Sequence, residues 1–190
     1  MNNLKRCGWS GESDTLMIEY HYKEWGVIVE DDKKLFEFLI LESAQAGLSW
    51  KTVLHKRENY RKAFAGFDPE KVARFTHKDV SRLLKNSGII RNKAKIEAAI
   101  NNAKKFLEVQ KEFGSFEKYS WQFINNKQIV HKIKKLSDYP VTIKEAENFA
   151  ADLKKRGFKF LGPTTIYAHM QAVGMVNDHT LDCFRRNTVS

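Results

Sequence analysis

Residues 81–107 read SRLLKNSGIIRNKAKIEAAINNAKKFL. From Asn92 onward the apolar residues Ile96, Ala99, Ile100, Ala103, Phe106 and Leu107 recur at the helical period of about 3.6 residues, which predicts an amphipathic helix with one buried face. A shorter helix around Ser81–Lys85 precedes it. The two are joined by Asn86-Ser87-Gly88-Ile89-Ile90, with Gly88 at the turn. This connection fits a helix-hairpin-helix element, in which the turn offers backbone amides to a DNA phosphate. A plain helix–helix turn looks much the same. The surrounding cations Lys85, Arg91, Lys93 and Lys95 favour the DNA-binding form.

The pattern extends in both directions. Trp50, Val53 and Leu54 share one helical face, and clear strand alternation is hard to find. Thr76 with Asp79 and Thr142 with Glu145 have capping-box spacing, while Gly157 and Gly174 stand where helix C-terminal caps belong. Val27–Val29 reads as extended but has no partner strand in sight. The prolines fall at predicted helix edges, and no Gly/Ser-rich or Pro-rich linker or repeat divides the chain. The expectation is an all-α fold in one domain, residues 1–190.

Lys and Arg number 33 against 23 Asp and Glu, a net charge of +10. Such an excess suits a polyanionic partner, nucleic acid first, although a solvated basic surface has the same composition. No apolar stretch follows the basic start, and the apolar run Leu35–Leu41 is interrupted by Glu37 and far too short to span a bilayer. A cytoplasmic protein without a membrane partner is expected, in whose reducing surroundings Cys7 and Cys183 stay unpaired.

Those cysteines stand at opposite ends of the chain. His179 and Cys183, four apart, share a face if that segment is helical, and with Cys7 and His21 they complete a donor set of the closed structural zinc type. Buried thiols and ordinary histidines are the alternative. Trp9, Tyr20, Tyr22, Trp25 and Trp50 crowd the same N-terminal third, where they either pack a core or build a stacking pocket beside the metal ligands. If the segment is extended, Tyr20 and Tyr22 point away from the His21 imidazole. Glu42, at the end of an otherwise apolar helix, is either solvent-facing or held in a dry pocket to read a donor or cation. Ala46-Gly47-Leu48 follows as a small-residue turn.

RCGW at Arg6–Trp9, EYHYKEWG at Glu19–Gly26, LESAQAGLSW at Leu41–Trp50, SGIIRNKAKI, KKRGFKFLGPTTIY and MQAVGMVNDH together resemble, in order and spacing, the DNA-3-methyladenine glycosylase I family. The similarity covers nearly the whole chain. It implies a helix-hairpin-helix glycosylase fold whose ends are joined by Zn2+ on Cys7, His21, His179 and Cys183. It further implies that Glu42, Tyr20 and Trp50 contact a flipped base, that Trp9 and Trp25 complete the aromatic walls, and that Gly47 and Leu48 enter the gap left in the duplex. Ala168 and His169 depart from the family, in which an aromatic is common at the second position.

The resemblance implies excision of 3-methyladenine from alkylated double-stranded DNA, with the free base as product and a monomer as the working form. Glu42 is expected to act as a carboxylate in recognition. Related helix-hairpin-helix glycosylases use an Asp after the hairpin, but residues 80–137 contain none. Water attack with little base assistance is therefore expected, without lysine-dependent strand cleavage, and Lys93 and Lys95 are assigned to phosphates along with Gly88 and Arg91. A non-catalytic damage-binding module and a zinc-stabilised protein-interaction domain are the alternatives.

Overall fold

The computed structural model describes residues 4–189. The α-helices among them are α1 (Thr15–Lys23), α2 (Asp32–Gln45), α3 (Trp50–Ala63), α4 (Pro69–Ala73), α5 (His77–Leu84), α6 (Lys93–Phe113), α7 (Phe116–Trp121), α8 (Lys144–Lys155) and α9 (Pro163–Ala172). None is long and apolar enough to cross a membrane.

The periodicity read in residues 92–107 becomes α6. Ile96, Ala99, Ile100, Ala103 and Phe106 are buried and Leu107 is half-buried. Asn92 caps the helix by accepting from the Lys95 amide at 3.1 Å. Its buried face packs on α2, α4, α5 and α7. From Leu35 to Ala44 every residue of α2 is buried, as expected of a helix enclosed on all sides, here by α3, α6, α7 and α9. Its first residue, Asp32, caps α7 by accepting from the Phe116 and Glu117 amides.

Three local expectations need correction. Thr142 does not cap: α8 starts at Lys144, so Ile143 holds the cap position and the Thr142 hydroxyl lies one residue too early. At α5 the Asp79 carboxylate does accept from the Thr76 amide, at 2.9 Å. Val27–Val29 is extended but takes its partner from a helix end: the Gly26 and Val29 amides donate to the carbonyls of Gln171 and Val173. Gly174, at φ +77°, allows this, because a Cβ there would lie 2.4 Å from the Val27–Ile28 backbone. Finally, two strands too short to show alternation, β1 (Ile129–Val130) and β2 (Val176–Asn177), pair in parallel, with Ile129 opposite Val176.

Candidate active site

Cys7, His21, His179 and Cys183 meet although they are up to 176 residues apart. All four are buried, and one ligand atom from each lies within 4.8 Å of the others. His179 and Cys183 lie in an irregular segment after β2, so the expected helical face does not exist and the turn itself aims them. The backbone around them serves the sulfurs: the Thr180 amide lies 3.4 Å from Cys7 Sγ. Cys183 Sγ is 3.4 Å from His21 Nε2, and both thiols are free. The hydrogen bond from Cys7 lowers Cys183 and raises Cys7, so one sulfur is favoured as a thiolate. His179 directs Nδ1 at the Asn177 side-chain oxygen, 3.1 Å away, and leaves Nε2 buried without a hydrogen-bond partner. A second partner fixing one imidazole nitrogen while the other stays free is how ligating histidines are oriented. The donor set therefore fits a four-coordinate metal ion with no protein-free position.

The segment before this cluster is helical, not extended. Successive residues of α1 are turned by about 100°, which sends Tyr20 into a cleft, His21 into the cluster, and Tyr22 onto Phe184, 4.7 Å between centroids. The cleft has a volume of about 660 Å³ and is lined by Trp9, Tyr20, Trp25, Glu42 and Trp50, all named from the sequence. Trp9 meets Trp25 edge-on at 4.8 Å, and Tyr20 lies 5.0 Å from Trp50 at an interplanar angle of 44°. Trp25 in turn packs on His179 at 4.7 Å. Cys/His cluster and aromatic wall are thus one packed unit.

Glu42 is 4% exposed. Burial pushes its carboxyl up to about 8, so it holds its proton at neutral pH. A positive charge beside it would favour the carboxylate form expected from the sequence.

Beside Glu42 the chain turns sharply. Gly47 has φ +80°, with open space where a Cβ would be, and the Leu48 amide donates to the Gln45 carbonyl at 2.6 Å. Leu48 is left 44% exposed, one residue before Ser49 caps α3 and presents Trp50. The hairpin residues divide into two groups. Arg91 and Lys93 are exposed at the start of α6, Lys93 with only a loose ion pair to Glu97 at 3.8 Å. Lys95 instead donates to the carbonyls of Ala44 (2.9 Å) and Ala46 (2.6 Å), committing two of its protons to the end of α2. Gly88 is needed for packing, since a Cβ would lie 2.9 Å from the Asn59 side chain, and its amide is held by Asn86 Oδ1 at 2.8 Å.

Several contributors escaped the sequence reading. Arg57 pairs with both carboxylate oxygens of Glu24 and with Glu37, each at 2.7 Å, tying the end of α1 to α2 and α3. Its guanidinium also lies 5.4 Å from the Phe38 ring, which backs Tyr20 and Trp50. Glu37 interrupting an apolar run was the available signal. Met17, Leu136, Tyr139 and Gln171 line the cleft as well, beside Ala168, already singled out in the sequence. Gln171 is fixed by donating to the fully buried Asp178, which also receives the Tyr167 hydroxyl and faces His131. His169 points elsewhere: it is fully buried, and neither ring nitrogen has a partner.

The family model described as methyladenine glycosylase matches residues 9–186. DNA-3-methyladenine glycosylase 1 of Escherichia coli (strain K12) is 48% identical over 180 residues, covering 95% of this chain and 96% of that protein. A crystal structure of 3-methyladenine DNA glycosylase I has a TM-score of 0.91 at 47% identity, covering 95% of this chain and 98% of that one. A structure of the Staphylococcus aureus 3-methyladenine DNA glycosylase I, described as the basis of 3-methyladenine recognition, has a TM-score of 0.92 at 38% identity, covering 97% and 98%. With the nine described α-helices, the cleft and three of the four Cys/His cluster residues inside the matched residues, the chain belongs to the methyladenine glycosylase family.

Proposed function

We propose that this chain, working as a monomer with one glycosylase domain, excises 3-methyladenine from alkylated double-stranded DNA by hydrolysing the N-glycosidic bond. The observation that carries the reading is a buried acid with no hydrogen-bonding partner among the described residues, Glu42, in the lining of an aromatic cleft; the exposed Leu48 stands between the lining residues Gln45 and Ser49. A base inside a stacked duplex cannot reach such a cleft, so the nucleotide must be extruded, at a cost of about a few kcal/mol that damage lowers. Leu48, on the Gly47 turn, occupies the space the nucleotide leaves. Arg91 and Lys93 hold the flanking phosphates, while Gly88, whose amide is held by Asn86, shapes the hairpin turn that presents them. No acid stands in the first turn of α6 to offset the helix dipole, which an arriving phosphate supplies.

Methylation at N3 gives the adenine a formal positive charge, and the pocket uses that charge twice. Stacking on Trp50 and Tyr20 gains about 1–2 kcal/mol of cation–π attraction once water is excluded. The cation also draws Glu42 into its ionised form, and the carboxylate accepts from the exocyclic amino group. Neutral adenine offers neither. When the bond between C1′ and the base breaks, its electron pair neutralises the base, and water adds to C1′ and releases a proton. The positive leaving group supplies much of the activation, in keeping with the missing Asp after the hairpin. Without an amine nucleophile in this scheme, strand cleavage is not part of it.

The Cys7, His21, His179 and Cys183 set is assigned to a structural Zn2+. Bound there, zinc supplies cross-linking of the chain ends rather than an activated water, because all four positions are protein ligands. The deciding experiment is single-turnover release of free 3-methyladenine from methylated duplex, run beside binding to undamaged duplex. The wild type should release the base, and Trp50→Ala should lose release strongly, by about 1–3 kcal/mol of stacking, with plain duplex binding intact. Tight lesion binding without release would identify a damage-binding module instead.

A further inference from the structure

Residues 132–136 read Lys-Ile-Lys-Lys-Leu and form part of a strap between β1 and α8. The strap is held firmly at its base. Ile133 is buried and bridges in parallel to Thr180, and the Leu181 amide donates to the Ile133 carbonyl at 2.8 Å. Asp138 Oδ2 accepts from the amides of Lys134 and Lys135, at 3.0 and 3.1 Å, closing a tight turn. Lys132, Lys134 and Lys135 are exposed, and no ion pair among the described residues involves them. Asp138, the acid of this turn, spends one oxygen on backbone amides and offsets at most one of the three charges. Leu136 is 61% exposed and at the same time lines the base cleft, with Tyr139 beside it in that lining.

A base enters the cleft still attached to its strand, so the phosphates flanking the extruded nucleotide must pass over the cleft's edge. One part of that edge is formed by Gln45 and Ser49, which flank the Gly47–Leu48 turn. The strap supplies another, from a distant stretch of sequence, with three unpaired cations next to an exposed leucine. Charge complementarity and continuity with the cleft both point to nucleic acid as the occupant. We propose that residues 132–136 are a second DNA-gripping edge of the pocket. Lys132, Lys134 and Lys135 neutralise backbone phosphates, and Leu136 packs against the sugar or base beside the extruded nucleotide. The inference rests on the reading of the cleft as a base-excision site.

The test is equilibrium binding of the full chain to a duplex carrying one stable abasic-site analogue, a nucleotide that can be extruded without catalysis, across a salt series, for wild type and a K132A/K134A/K135A variant. Three lost phosphate contacts should make the plot of log affinity against log salt shallower by about 2 to 3. A matched K104A/K154A/K155A variant, which removes the same charge from α6 and α8, should change the slope by less than half as much. Binding of free 3-methyladenine by calorimetry and the melting temperature should match wild type in both, showing that pocket and fold are intact. An unchanged slope in the strap variant, or an equal change in the control, overturns the proposal. Because this readout needs no catalysis, it is separable from the activity assay: a wild type that releases no base sinks the excision reading alone.

Discussion

The Lys95 ammonium donates to the Ala46 carbonyl at 2.6 Å, joining the first turn of the hairpin's second helix to the last turn of the helix that carries Glu42. A cation is unfavourable at the start of its own helix but favourable at the end of another, where unsatisfied carbonyls carry partial negative charge. Lys95 therefore serves α2, and through it the Gly47–Leu48 turn. Residues 86–95 and the Gly47–Leu48 turn are thereby linked.

Lys95→Met should lower single-turnover excision by about tenfold or more, because losing charge-assisted bonds to two carbonyls costs about 1.5–3 kcal/mol. Undamaged duplex binding should keep its salt slope, and Lys95→Arg should restore part of the activity. A slope reduced by about 0.9 in the Met variant would return Lys95 to the phosphate contacts expected from the sequence.

Glu42 sets a pH dependence of both activity and stability. Its carboxyl is raised to about 8 from an ordinary 4.5, so the folded protein holds a proton that the unfolded chain gives up. Folding stability should therefore fall as pH rises from about 4.5 through about 8, at up to about 1.4 kcal/mol per pH unit. The same ionisation creates the form that binds a cationic base, so kcat/KM on methylated duplex should rise through pH 8 and then level. Glu42→Gln should flatten both curves, weaken free 3-methyladenine binding and raise the melting temperature at pH 9. A variant with unchanged affinity would remove Glu42 from base recognition.

Chelating the bound metal, or making Cys183→Ser, should lower the melting temperature before substrate preference changes, since the site joins residues 7–21 to residues 179–183. Because Trp25 packs on His179 and Trp9 on His21, the aromatic wall should loosen next, visible as altered tryptophan fluorescence. Native mass spectrometry should find one zinc per chain. A metal-free protein with an unchanged melting curve would contradict a structural role.

His169 is a built-in cost. Desolvation lowers it to about 3 from 6.5, so it is neutral when folded, while the unfolded chain protonates it below about 6.5. Stability tied to this residue is complete above pH 6.5 and falls as pH drops toward 3. Two unpartnered nitrogens cost about 1–3 kcal/mol each. His169→Phe should therefore raise the melting temperature at neutral pH by several degrees, at about 2–4 °C per kcal/mol, and soften the acid limb. An equal or lower melting temperature would mean that the site cannot accept the larger ring.

Sequence alone determined the helical architecture, because the 3.6-residue spacing in residues 92–107 and the glycines at 157 and 174 act through local backbone geometry. It also determined which residue types were candidates: two thiols and two imidazoles for a metal, an acid at the end of an apolar helix for a base. Those readings depend on chemistry that a side chain carries wherever it sits. Tertiary structure decided what each residue faces. His179 and Cys183 are aimed by an irregular turn tied to Ile133, Lys95 looks back at α2, and burial holds the proton on Glu42. Arg57 gathers acids from two other helices, and Leu136 reaches the cleft from a strap more than eighty residues beyond Trp50. Burial and long-range hydrogen bonds fix all of these, and neither spacing nor composition encodes them, because they depend on which distant segments the packed core brings together.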